Sequence, residues 1–308
     1  MESKLFTPVT FGPLTLRNRT IRSAAFESMC PGNAPSDMLL DYHRSVAAGG
    51  IGMTTVAYAA VTQSGLSFDR QLWMRPEIIP GLRRLTDAIH AEGAAAGIQL
   101  GHCGNMSHKS ICGCMPVGAS SGFNLYSPTF VRGLRADELP EMARAYGRSV
   151  NLAREAGFDS VEIHAGHGYL ISQFLSPSTN HRKDEFGGSL QNRMRFMDMV
   201  MEEVMKAAGS DMAVFVKMNM RDGFKGGMEI DESIQVAKRL LELGAHGLVL
   251  SGGFVSKAPM YVMRGAMPIR SMSYYMNCWW LKYGVRMFGK WMIPSVPCLL
   301  YTSPSPRD

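Results

Sequence analysis

Short apolar runs alternate along this chain with longer amphipathic stretches, and Gly or Pro marks most of the borders. Residues 20–25 read as a strand after a Pro- and Gly-punctuated entry. Residues 38–48 carry helical periodicity and stop at Gly49-Gly50, a glycine C-terminal stop. Residues 51–57 form a second apolar run, 76–92 a helix with Pro near its start, and 95–100 a third strand. A long Cys-, Ser- and Gly-rich loop covers 101–136. The alternation then resumes with a helix over 138–156, a strand over 160–164 and a helix over 191–208. A strand over 213–218, a helix over 231–243 and a strand over 247–250 complete it.

Strands separated by helices imply a parallel sheet. The polar residues that could do chemistry follow the strands: Gln99, His164, Lys217 and the Ser251-Gly252-Gly253 turn. A (β/α)₈ barrel builds its site at that carboxyl face. A doubly wound sheet places ligands there too, but no strand here opens into GxGxxG. The expected fold is therefore α/β, a TIM (β/α)₈ barrel that is incomplete, with about six of the eight strands a closed barrel needs. Residues 1–253 form the barrel portion and 254–295 an irregular aromatic capping segment. Residues 296–308 shift abruptly to Ser and Pro and read as a non-native or disordered tail, so the chain is expected to be carboxyl-terminally truncated.

Composition narrows the class. The chain has 308 residues, 46% of them hydrophobic, enough for one large α/β domain with a real core. Residues 1–11 contain Glu2 and Pro8 and no apolar signal core, and no apolar run reaches the ~18 residues of a membrane span. The six cysteines show no CxxC pair, which points to free thiols, no metal centre and a cytoplasmic location. The net charge of +6 arises entirely after residue 253, where 7 Lys+Arg meet the single acid Asp308. Those bases are scattered singly among Trp279, Trp280 and Trp291. They line no helical face, so the segment reads as a flap over a small-molecule site rather than a nucleic-acid or membrane surface.

The densest chemistry lies in residues 161–196, VEIHAGHGYLISQFLSPSTNHRKDEFGGSLQNRMRF. His164 and His167 sit three apart, which puts them on opposite faces of a strand but on one side of a turn. Both can therefore face one ligand only if the chain bends just after His164, as Gly166 and Gly168 permit. Two imidazoles and the phenol of Tyr169 at a strand's carboxyl end suffice to bind a carbonyl oxygen and supply a proton. Metal binding is disfavoured because no Glu or Cys lies beside the histidines at zinc-ligand spacing.

Three long segments, LFTPVTFGPLTLRNRTIRSAA, GIQLGHCG and EIHAGHGYLISQFLSPSTNHRKDEFGGSLQNRMRF, resemble the Old Yellow Enzyme family of flavin-dependent NAD(P)H oxidoreductases. The resemblance covers about residues 4–295. It implies a TIM barrel holding FMN non-covalently and passing hydride from NAD(P)H through the flavin to an acceptor, often an activated alkene. His164 and His167 match the family's pair that binds the substrate oxygen, and Tyr169 matches its proton donor. Gln99 matches the residue that pairs with the flavin pyrimidine edge. Lys217 stands where many members place Arg near flavin N1 and O2. Backbone groups of Ser23, Ala24 and Ala25 match the segment that touches the isoalloxazine, with Arg22 and Glu27 flanking them.

Read without the resemblance, Gln99 could serve buried backbone and Lys217 could pair with Asp222 or Glu162. Phe26 stands where many members carry Thr or Cys, and residues 254–308 contain no Gly-rich turns to hold a flavin phosphate. Other readings are a dienoyl-CoA reductase-like or amine dehydrogenase-like relative, an inactive truncated fragment, or a barrel that only binds carbonyl compounds or nucleic acid. A homo-oligomer is possible for the full-length protein.

Overall fold

Two three-residue apolar runs around Gly12-Pro13 pair antiparallel as β1 (Val9–Phe11) and β2 (Leu14–Leu16), with Gly12 at φ +53°. The computed structural model describes residues 3–125, 127–258, 279, 282–284, 286 and 287. After the hairpin come β3 (Ile21–Arg22), α1 (Asp37–Ala48), β4 (Met53–Ala60), α2 (Ile79–Ala91) and β5 (Ala95–Gly101). The long loop then holds a short α3 (Lys109–Cys112) and three small strands, β6 (Val117–Gly118), β7 (Gly122–Asn124) and β8 (Thr129–Gly133). The alternation resumes with α4 (Leu139–Glu155), β9 (Ser160–Ala165), α5 (Leu170–Leu175), α6 (Leu190–Ala208), β10 (Ala213–Asn219), α7 (Ile230–Glu242) and β11 (Gly247–Ser251).

The main sheet is parallel, with order β11-β10-β9-β5-β4-β3. Chain order and spatial order coincide, with no reversal of winding direction. A doubly wound sheet must reverse, so this is barrel winding, and the described residues supply six of its strands. The sheet is also strongly curled. Three strands separate β3 from β10, which in a flat sheet would leave about 19 Å between them, four spacings of roughly 4.8 Å. Yet Lys217 on β10 donates to the Ser23 hydroxyl just past β3 at 3.0 Å. Only a curved wall brings those strands within reach of one side chain.

Alternate residues of each strand face opposite sides. Ile98 and Leu100 on β5, Val161 and Ile163 on β9, and Val214, Val216 and Met218 on β10 pack outward into one large core with the helices. The helices meet them with stripes at three- and four-residue spacing, such as Leu139, Ala143, Tyr146, Val150 and Ala153 on α4. The inward residues of the same strands are Gln99, Glu162, His164 and Lys217, all buried. Polar residues on a doubly covered strand are costly unless partnered, so this face is a site rather than a core. The opposite, amino end is plugged by the hairpin: Val9, Phe11 and Leu14 pack on Leu16, Met53, Ala213 and Phe215.

Several boundaries differ from the sequence reading for local reasons. The first strand is only Ile21–Arg22, because beyond it the Ala24 carbonyl accepts from Lys217 Nζ at 3.1 Å instead of from a ladder partner. The helix expected from residue 76 starts as a 3-10 turn, Pro76–Ile78, and becomes α-helical at Ile79. Pro80 has no N–H to continue the bonding from the earlier turn. The expected aromatic cap and tail over 254–308 lie largely outside the described residues. Among the described residues no helix is long and apolar enough to cross a membrane.

Candidate active site

At the end of β9 the chain turns within four residues. His164 is the fifth strand residue, His167 takes φ +58° and Gly168 φ +82°, and α5 begins after Tyr169. A histidine in the left-handed region costs about 1–2 kcal/mol unless its surroundings hold it there. Here they do: His167 N–H donates to Asn219 Oδ1 at 2.9 Å, and its carbonyl accepts from Val255 N–H at 3.0 Å. Gly168 is required for a second reason, since a Cβ there would lie 2.3 Å from the Phe254 ring.

The bend gathers the three predicted groups. The His164 ring lies 5.1 Å from that of His167 and 4.3 Å from that of Tyr169, centre to centre. Tyr58 closes the cluster at 6.1 Å from His164 and 5.2 Å from Tyr169. Its hydroxyl donates to the Gly65 carbonyl at 2.7 Å, which fixes the ring as a wall.

Both imidazoles are held neutral. Burial lowers His164 well below the usual range, and the charges of His167 and Lys217 add to this. Burial, and then Lys217, bring His167 down to about 4. Gly166 N–H points at His164 Nδ1 at 3.4 Å, which leaves the ring proton on Nε2. His167 Nε2 is 2.6 Å from the Ser251 hydroxyl. The result is a pair of uncharged N–H-bearing rings beside a phenol, suited to an oxygen that gains negative charge during reaction.

The second predicted group assembles beside it. The Lys217 ammonium has three N–H donors and three acceptors: Ser23 Oγ at 3.0 Å, Ala24 O at 3.1 Å and Glu162 Oε1 at 3.1 Å. Gln99 Nε2 donates to the same Glu162 oxygen. Gln99 and Lys217 are therefore joined through one buried carboxylate, and of the two ion-pair partners open to Lys217 the structure selects Glu162 over Asp222. The 23–26 segment presents exposed Ser23, Ala25 and Phe26, a floor of mostly small residues beside a buried amide and a buried cation. A flat ring system with polar edges, such as a flavin, fits that donor set. Phe26 stacks at 4.7 Å on Phe68. Arg22 and Glu27 bracket the floor: Arg22 Nη1 donates to Glu27 Oε1 at 2.5 Å, and His43 Nε2 approaches the same oxygen at 3.1 Å.

Sequence reasoning missed Tyr58, Asn219 and the bond from His167 to Ser251. Asn219 and Ser251 are paired residues at the carboxyl ends of β10 and β11. The rule that pointed to Gln99, His164, Lys217 and the Ser251 turn, taken two residues past Lys217, also finds Asn219. Asn219 is fully buried, with Nδ2 donating to Asp222 Oδ1 at 2.9 Å and to the Gly253 carbonyl at 2.8 Å. Among the described residues no cluster of His, Cys, Asp and Glu could hold a metal.

Comparison with known proteins finds relatives along most of the chain. The NADH:flavin oxidoreductase / NADH oxidase family profile matches residues 4–280. A 4,4'-dithiodibutanoate disulfide reductase from Rhodococcus erythropolis is 39% identical over 95% of this chain and 73% of its own length. An NADPH dehydrogenase from Bacillus subtilis is 34% identical over 86% of this chain and 78% of its own. A metal reductase from Desulforamulus reducens is 32% identical over 98% of this chain, which spans only 44% of that protein. Among solved structures, an old yellow enzyme homologue from Zymomonas mobilis superposes with a TM-score of 0.75 at 27% identity, covering 82% of this chain and 74% of that one. A 2-naphthoyl-CoA reductase complex gives 0.81 at 26% identity, covering 89% of this chain and 45% of that one. This chain belongs to the NADH:flavin oxidoreductase family of Old Yellow Enzyme-like TIM barrels, whose members use FMN and NAD(P)H in flavin-dependent reduction.

Proposed function

We propose that the site reduces a small electrophile whose reacting double bond is conjugated to a carbonyl, with His164 and His167 binding the oxygen and Tyr169 supplying the proton. The observation that carries this reading is the packing of the Tyr169 and His167 rings at 4.3 and 5.1 Å from that of His164 at the carboxyl end of β9. FMN, when bound, supplies the hydride that it takes from NAD(P)H. His164 Nε2–H donates to the substrate oxygen and stabilises the charge that develops there, a contribution that grows because the cluster is buried. Because both rings are neutral at pH 7, each offers a single N–H and brings no charge of its own to the oxygen. Tyr169 hands its hydroxyl proton to the carbon beside the carbonyl, while Tyr58 limits where that carbon can sit.

Gln99, Ser23, Ala24, Ala25 and Lys217 would hold the flavin: the amide at its polar edge, the backbone of the floor against its ring. Lys217, whose donors are already directed, acts by charge. Residues 1–253 are the flavin-binding portion in this reading, working in the cytoplasm on a small-molecule substrate.

The test is anaerobic turnover of the FMN-loaded protein with NADPH, using 2-cyclohexen-1-one and 4,4'-dithiodibutanoate as alternative acceptors. Tyr169→Phe should lower enone reduction by about 10²–10⁴-fold while NADPH still bleaches the flavin. An unchanged enone rate would remove Tyr169 from the proton-donor role. A preference for the disulfide would redirect the substrate assignment.

A further inference from the structure

Outside this site, one group of side chains has no role in the reduction. Cys112 ends α3, Gly113 follows in the left-handed region at φ +73°, and Cys114 comes next. The turn brings the two sulfurs to 3.8 Å, in van der Waals contact, and Cys112 Sγ also approaches the Cys114 carbonyl at 3.2 Å. Their burial is unequal: Cys112 is 2% exposed, whereas Cys114 lies at the surface. The other described cysteines, Cys30 and Cys103, are both buried, and all four are free thiols.

We propose that Cys112-Gly113-Cys114 is a redox-active dithiol that closes to an intramolecular disulfide by exchange with a small organic disulfide. The exposed Cys114, as thiolate, attacks one sulfur of RSSR, forms a mixed disulfide and expels RS⁻. Cys112 then attacks the Cys114 sulfur and expels the second RS⁻. Each RS⁻ takes up one of the two thiol protons, so the protein loses two electrons and two protons and RSSR becomes 2 RSH. The arrangement suits that order, with an accessible entry sulfur, a shielded resolving sulfur already in contact, and a glycine that lets the three-residue ring turn. Burial and the neighbouring Cys112 push the Cys114 thiol up to about 11, so the entry sulfur rests as a thiol at neutral pH and exchanges slowly. Ile111, next to Cys112, packs on the same Tyr58, Ala60 and Leu66 cluster as Tyr169, so closure acts on a segment attached to the active-site wall.

The experiment needs no flavin. The full chain is equilibrated in glutathione buffers of graded oxidised-to-reduced ratio, quenched with acid and alkylated under denaturing conditions. Trypsin, cutting after Lys109 and Arg132, releases residues 110–132 with both cysteines and no other. The expected product is that peptide lighter by two hydrogens and unalkylated. Its formation constant in the native chain should exceed that in the urea-unfolded chain by at least about tenfold, because the fold holds the sulfurs together. Cys114→Ser should leave Cys112 alkylatable and free of glutathione, since the buried sulfur cannot start the exchange. Equal constants in native and unfolded chains would overturn the proposal. So would a stable glutathione adduct on Cys114, or two alkylated cysteines at every ratio.

Discussion

Acidification should destabilise this protein through His167, and the size of the effect follows from the site. In the fold, burial and Lys217 hold the His167 pKa at about 4, against an ordinary value of 6.5. Between those values the unfolded chain binds a proton that the folded chain refuses, so stability falls as pH falls through this window. It is restored in full only above 6.5. At pH 5.0 the loss relative to pH 7.5 is about 2 kcal/mol, from 1.36 kcal/mol for each pH unit below 6.5.

His164 and His102 are also buried and lowered, so the total acid loss of the wild type is larger than this one contribution. The comparison that isolates His167 is with His167→Asn, because asparagine tolerates the left-handed backbone at φ +58°. Urea unfolding of both proteins at pH 7.5 and 5.0 should show the wild type losing about 2 kcal/mol more than the variant. Equal losses would mean that His167 titrates normally in the fold, and the argument for a neutral oxygen-binding pair would fail with it.

Other substitutions probe the neighbouring parts. Gly168→Ala places a Cβ 2.3 Å from the Phe254 ring at φ +82°. It should cost about 2–4 kcal/mol in urea unfolding through strain and overpacking; a cost under about 1 kcal/mol would show that the turn yields. Asn219→Ala removes the acceptor of His167 N–H and the donor to Gly253. A loss of about 2–3 kcal/mol is expected, together with a larger fall in kcat than rise in KM, and unaltered kinetics would refute a positioning role. Lys217→Met leaves Glu162 buried without its cation, which should cost about 3–5 kcal/mol and weaken FMN retention on gel filtration. Adding Glu162→Leu should recover much of the stability but not the flavin, and recovery of both would show that the cation is dispensable.

The periodicity made the strand–helix alternation and the inward polar positions readable, because residues such as Val161 and Ile163 mark the outward face and leave Glu162 and His164 inward. It did not reveal the amino-terminal hairpin. Its strands are three residues long and carry too little pattern to stand out from the Pro and Gly around them. Helix α5 was equally silent: all six of its residues are buried, so it has no polar face to set a period. Gln173 within it is satisfied by loop groups, donating to the carbonyls of Cys103 and Gly168 and accepting from Asn105 N–H, contacts that no local pattern encodes. The same holds for the left-handed backbone of His167. Gly166 and Gly168 announced a bend, but the residue that holds it, Asn219, lies 52 positions away.

The Lys217 bond to Ser23 joins positions 194 residues apart. A ribosome makes the 23–26 segment near the beginning of its work and the ammonium that pins it only after β10 has emerged. Until then the segment around Ser23 and Ala24 lacks the donor that orders its carbonyl and hydroxyl. The parallel strands can add one by one to a growing edge, each βα unit meeting a neighbour already in place. The Lys217 contact cannot form in that stepwise way, because it waits for the sheet to curl far enough for its fifth strand to touch its first; flavin binding, as proposed above, would wait with it. The Lys217 contact with the 23–24 segment is thus a late, long-range event laid on a scaffold whose other contacts form mostly between successive units.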